Sequence, residues 1–168
     1  MKLRFFSLLA ICLATFSSGI ASADGGGHKQ VMPDENIIGI SLLASIIAYF
    51  MISKISKFSL NSEDKLAFSL VVFTIVVHAI LGIDDLKLLA GAAGFLAFGV
   101  AFYVLEIGFV EKSKTMFSYL LIIYTLAIII FYLYQHPDLT KDGSYDSVGI
   151  LTKISEIGII ALTLRKLN

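Results

Sequence analysis

Apolar residues in this chain fall in blocks separated by short polar stretches. Five blocks, 36–53, 66–83, 88–110, 116–134 and 148–164, are 17 to 23 residues long. At about 1.5 Å of rise per residue, that length crosses about 30 Å of hydrocarbon. Shorter runs would suit the core helices of a soluble domain. The pattern predicts an all-α integral membrane protein, a bundle of about five transmembrane helices.

The first apolar block differs from these. Lys2 and Arg4 precede a twelve-residue stretch, 5–16, that is too short to span. Ala21 and Ala23 then stand where a signal peptidase reads small residues, and Asp24-Gly25-Gly26-Gly27 is polar and flexible. Residues 1–23 therefore read as a cleaved signal peptide. Cys12 raises a lipid-anchored start, but Ile11 is too bulky for the usual small residue before such a cysteine. An uncleaved signal anchor is the other alternative. The expected order is signal peptide 1–23, exported tail 24–35 and helical bundle 36–168.

Charge sets the orientation. If the mature N-terminus is outside, the inward ends carry Lys54, Lys57, Lys65, Lys112, Lys114, Arg165 and Lys166, and the outward ones carry Lys29, Lys87 and Lys141. Seven basic residues against three agree with the positive-inside rule. The expectation is a multi-pass protein of the cell (plasma or inner) membrane with a cytoplasmic C-terminus.

Composition strengthens this picture and excludes several functions. Hydrophobic residues make up 57% of the 168 and charged ones 15%, with a mean hydropathy of +0.87. A soluble domain is nearer half apolar and a quarter charged. The net charge is zero, so no basic surface invites nucleic acid. Cys12 is the only cysteine, and its removal with the signal would leave no thiolate chemistry. Membrane lipid and other membrane subunits, or further copies of the chain, are the expected partners.

Ala90, Gly94, Ala97 and Ala101 recur at helical spacing in the third block, with Ala93, Gly91, Gly99 and Gly108 close by. Small residues on one face let helix backbones approach, so this seam predicts that the third span is the central helix. A surface for a partner subunit is the alternative.

Ionisable residues inside the blocks are the most informative feature, because each is costly in hydrocarbon. They are His78, Glu106, Lys153 and Glu156. His78 and Lys153 each lie about 7.5 Å inside the outer end of their spans, and Glu156 about 12 Å. Glu106 is about 6 Å from the inner edge, where Lys112 or Arg165 is the expected partner. Lys153 and Glu156, three apart on one helix, can pair. Thr152, Ser155 and Thr163 extend a polar side of the fifth span, and Thr74 precedes His78 by one turn. The cluster His78, Lys153, Glu156 and Thr74 reads either as a pair that fixes helix register or as a polar site facing outward.

Around it lies an outer rim of candidate metal ligands: His28, Asp84, Asp85 and His136 with His78, and Asp138 nearby. Imidazole and carboxylate suit copper, zinc or manganese. No His-x-His or Glu-x-x-His spacing supports the set. Asp84 and Asp85 also suit the start of the third span, and His136-Pro137-Asp138 a turn.

No zinc-protease, nucleophile-elbow, P-loop or dinucleotide motif appears. His78 is the only histidine within a block, so one chain cannot offer bis-histidine haem ligation. The chain is not expected to be an enzyme on its own. A non-catalytic subunit or accessory (assembly) protein of a membrane complex is the first expectation. A proton- or cation-coupled transporter or channel using the polar cluster is the second, and extracytoplasmic copper or zinc handling the third.

Overall fold

The computed structural model describes residues 32–56, 59–83, 85–104, 113–141 and 144–167. The signal peptide, most of the tail with His28, and also Asp84 and Glu106 lie outside the described residues.

The described residues form five helices: α1 (Asp34–Ile55), α2 (Ser62–Leu81), α3 (Leu86–Tyr103), α4 (Lys114–Gln135) and α5 (Ser147–Leu167). All five are long and apolar enough to cross a membrane. They overlap the five apolar blocks, but capping chemistry sets their ends. Helix α2 begins four residues before its block, because the Asn61 side chain accepts the Asp64 N–H at 2.7 Å. Asp85 caps α3 by accepting the Lys87 N–H at 2.8 Å, and Asp146 caps α5 by accepting the Gly149 N–H at 2.7 Å. Helix α3 closes at Tyr103, where its block runs on to residue 110. In the loop before α5, β1 (Thr140–Lys141) pairs antiparallel with β2 (Ser144–Tyr145), a short ribbon too brief for a hydropathy pattern to mark. Leu139, with φ of 54°, turns the chain into it.

Helix α2 is the centre of the bundle, packing on α1, α3 and α5, while α5 also packs on α4. This corrects the expectation that the third span is central. Ala90 and Ala97 are exposed, and Gly94 and Ala101 are half-buried. The face of α3 that meets α2 is one residue further round: Gly91, Phe95 and Gly99 are buried. A Cβ on Gly99 would stand 3.1 Å from Val71, and one on Gly91 would stand 3.1 Å from the His78 ring. Helix α3 therefore approaches α2 over two glycines two turns apart, with Phe95 between them.

Phe95 is fully buried, 5.9 Å from the His78 ring and 5.1 Å from the Tyr124 ring. Phe95→Ala is expected to cost about 2 kcal/mol in a detergent unfolding titration. There the unfolded helices stay in an apolar medium and the residual cavity sets the loss, at about 24 cal/mol per Å³ over about 100 Å³. Outward faces carry large apolar side chains, among them Leu43, Ile46 and Phe50 of α1 and Ile123, Ile130 and Leu133 of α4.

Candidate functional site

The ionisable residues of α2 and α5 meet inside the bundle. Glu156 is fully buried on the face of α5 that packs on α2 and α4. Lys153 leads it by one turn and its ammonium donates to both carboxylate oxygens, at 2.8 and 2.6 Å. Across the interface, His78 Nε2 stands 3.7 Å from Glu156 Oε1. That gap is longer than a hydrogen bond. The other ring nitrogen, Nδ1, is 2.9 Å from the Thr74 carbonyl oxygen. A carbonyl can only accept, so Nδ1 carries the hydrogen and Nε2 faces the carboxylate.

Two further groups, absent from the sequence reading, extend the cluster. The Lys153 ammonium lies 5.1 Å from the centroid of the Tyr132 ring, a cation–π distance. The Tyr132 hydroxyl donates to Asp146 Oδ2 at 3.0 Å, while Asp146 Oδ1 holds the α5 cap. A polar file thus runs from Asp146 at the start of α5, through Tyr132 and Lys153, to Glu156 and His78. Tyr124 stands beside it, donating to the Gly91 carbonyl at 2.9 Å.

Buried hydroxyls along the helices divide into two kinds. Thr152, Ser155 and Thr163 donate back to the carbonyls of Val148, Leu151 and Ile159 in their own helix, so the polar side expected of α5 is self-satisfied there. The hydroxyls of Thr74 and Ser41 are buried with no hydrogen-bond partner among the described residues.

The cluster is costly to build. Removing a carboxylate and an ammonium from water carries a penalty of several kcal/mol each, and their mutual attraction roughly offsets it. Apolar residues of the same volume would hold α5 in place as well.

The expected metal set is not assembled among the described residues. Asp85 serves as the α3 cap, and His136, at the end of α4, stacks on Tyr132 with centroids 5.0 Å apart. Among the described residues no three His, Cys, Asp or Glu side chains gather to hold a metal ion. His28 and Asp84 lie outside them.

At the opposite end of the bundle, the start of α2 is tied to the end of α5. Arg165 pairs with Glu63 at 2.9 Å, and Lys166 pairs with Asp64. Arg165, with Lys112 a candidate partner of Glu106, pairs here with Glu63, and Glu106 itself lies outside the described residues. A cavity of about 200 Å³ opens next to these pairs, lined in part by Tyr103, Ser118 and Thr163. Comparison with protein-family models, with curated proteins and with solved structures finds no match to this chain.

Proposed function

We propose that this chain is a multi-pass membrane protein that handles a proton or another cation at His78, Glu156 and Lys153. The observation that carries the reading is the convergence of three ionisable side chains from two helices in the buried interior. Such groups are expensive in an apolar bundle, add little stability, and mark ion pathways and proton relays in membrane helices. Packing alone would not select them. The five apolar helices and their lipid-like outward faces support the membrane assignment. Lys65, Arg165 and Lys166 gather at the end of the bundle where α2 begins and α5 finishes. That end is the cytoplasmic one in the orientation with an exported N-terminus after signal removal.

A second reading, an accessory subunit of a membrane complex, draws on a different observation. Ala90, Ala93 and Ala97 are exposed on α3, on the side away from α2. Small side chains gain little against lipid but admit a partner helix closely. Copper or zinc handling has no such support among the described residues.

The deciding experiment is flux into vesicles holding the purified full-length chain, followed with a trapped pH dye and with labelled sodium. Under an imposed ion gradient, the unmodified protein is expected to move ions, and Glu156→Gln to lower the rate at least tenfold. If the protein moves neither ion, the ion-handling reading is overturned and the subunit reading stands.

A further inference from the structure

The proposed ion-handling site leaves open which ion it takes and what moves when that ion binds. The geometry points to a lysine with two carboxylate stations, resting on that reading. Lys153 pairs with Glu156 while that carboxylate is charged and with Asp146 once Glu156 has taken a proton from His78, so the ion handled is the proton.

Helical geometry provides the two stations. Asp146 precedes Lys153 by seven residues, about 20° short of two full turns, so both lie on one stripe of α5. Glu156 follows Lys153 by one turn at the edge of the same stripe. Helical side chains lean toward the N-terminus. Glu156 therefore leans back onto Lys153, and a Lys153 side chain released from it leans toward Asp146. The Tyr132 ring bridges the two positions. Its face lies under the Lys153 ammonium, and its hydroxyl holds the Asp146 oxygen that the helix cap does not use. The Lys153 side chain retains 12% exposure, whereas that of Glu156 has none.

The proton step balances. Once the 3.7 Å gap closes to hydrogen-bond distance, protonated His78 gives up the Nε2 hydrogen to Glu156 Oε1, while the other hydrogen stays on Nδ1, donated to the Thr74 carbonyl. The histidine returns to neutral and Glu156 becomes an uncharged acid. Without its negative charge the acid holds the ammonium more weakly, and the ammonium moves across the Tyr132 ring to the charged Asp146. Before uptake the ammonium is matched by Glu156 and after it by Asp146, so neither state leaves a buried cation unmatched. A metal cation fits this site poorly. Both Glu156 oxygens already face the ammonium, and no second described carboxylate completes a ligand set.

The groups facing Glu156 can be named from every packed element. Helix α2 presents His78, α4 presents Tyr124 and Tyr132, and α5 presents Lys153 with Asp146 at its cap. Helix α3 faces the site with Phe95 and Gly91. Its described ionisable residues lie elsewhere, Lys87 over Phe131 and Tyr103 beside Lys166. Those of α1 are Asp34 and Glu35 in the first turn, Lys54 in the last turn, and Tyr49.

The test uses the full chain in lipid vesicles with selectively ¹⁵N-labelled lysine, titrated with acid. Uptake of one proton is read from the infrared carbonyl band of a protonated carboxylic acid, which Glu156→Gln should abolish. The Lys153 ammonium resonance, identified by its loss in Lys153→Met, should shift along the same titration. Asp146→Asn retains an effective helix cap and removes the outer charge. It should lower the proton affinity of Glu156 at least tenfold and hold the ammonium resonance fixed. Tyr132→Phe changes no charge and should act in the same direction more weakly. If the ammonium resonance moves equally in Asp146→Asn, the two-station lysine is overturned while the proton site survives. Uptake of sodium in place of the proton would overturn the inference and leave ion handling intact. If neither ion binds or moves, both fail together.

Discussion

Glu156→Leu is expected to destabilise the bundle by about 3 kcal/mol, the lower end of the range for breaking a buried ion pair. The loss comes from the ammonium left behind rather than from the pair itself. Lys153→Met with Glu156→Leu, which removes both charges and keeps the volume, should recover most or all of it. The single variant escapes the full penalty because Asp146 remains in reach of Lys153, through the Tyr132 ring. Adding Asp146→Asn to Glu156→Leu should therefore cost about 1–2 kcal/mol more than the two single changes together, the signature of coupled sites. The folded fraction along a denaturing detergent titration measures all four variants against the unmodified chain. Equal stability for Glu156→Leu and the charge-free double variant would sink this account.

Gly82→Ala is expected to be comparably harmful for a different reason. Gly82 ends α2 with φ of −78° and ψ of −1°, a conformation any residue adopts, so backbone freedom is not what it provides. It provides room. A Cβ there would stand 2.5 Å from the Leu89 nitrogen, 2.8 Å from the Leu89 Cα and 2.6 Å from the His78 carbonyl oxygen. These are backbone atoms and cannot rotate aside, so the α2–α3 turn must open. Overpacking of this kind costs about 1–3 kcal/mol, and the upper end is expected here. The displacement would also reach the site, because His78 is one turn before Gly82 and Gly91 lies against its ring. Gly39→Ala is the control. Nothing stands within 4 Å of a Cβ at that position in α1, so alanine should stabilise by up to about 1 kcal/mol through helix propensity. A tolerated Gly82→Ala in the same titration would show that the turn is looser than this packing implies.

Length and hydropathy located all five helices, because a run of about twenty apolar residues has few other uses. Their ends were less legible. Asn61 caps through a side-chain oxygen, which hydropathy does not register, whereas Asp85 caps α3 in keeping with its place at the start of the third span. The pairing of Lys153 with Glu156 was legible from spacing three apart on a helix, and the approach of His78 from comparing depths. The helix order around the centre was not. Two small-residue stripes overlap on α3, one through Ala90, Gly94 and Ala97 and the other through Gly91 and Gly99. The bulk of Phe95 hides the second, although that ring fills the contact with α2. Tyr132 and Asp146 were missed because their link to Lys153 is made between α4 and the start of α5. Only the seven-residue spacing of Asp146 and Lys153 hinted at a shared face.

Helix α5 is the least apolar of the five, and its charged pair lies on the face that meets α2 and α4. Under the membrane assignment proposed above, this has a consequence for biogenesis. A glutamate near the middle of a lone segment would oppose insertion by the translocon by about 2.5–3.5 kcal/mol, and a lysine one turn nearer its outer end would add a smaller cost. Helices α2 and α4 emerge from the ribosome earlier and supply the His78 and Tyr132 that α5 meets on entry. The last helix is therefore a dependent passenger, admitted to the bilayer by those already there. Chains lacking α2 should leave α5 uninserted and exposed to quality-control proteolysis.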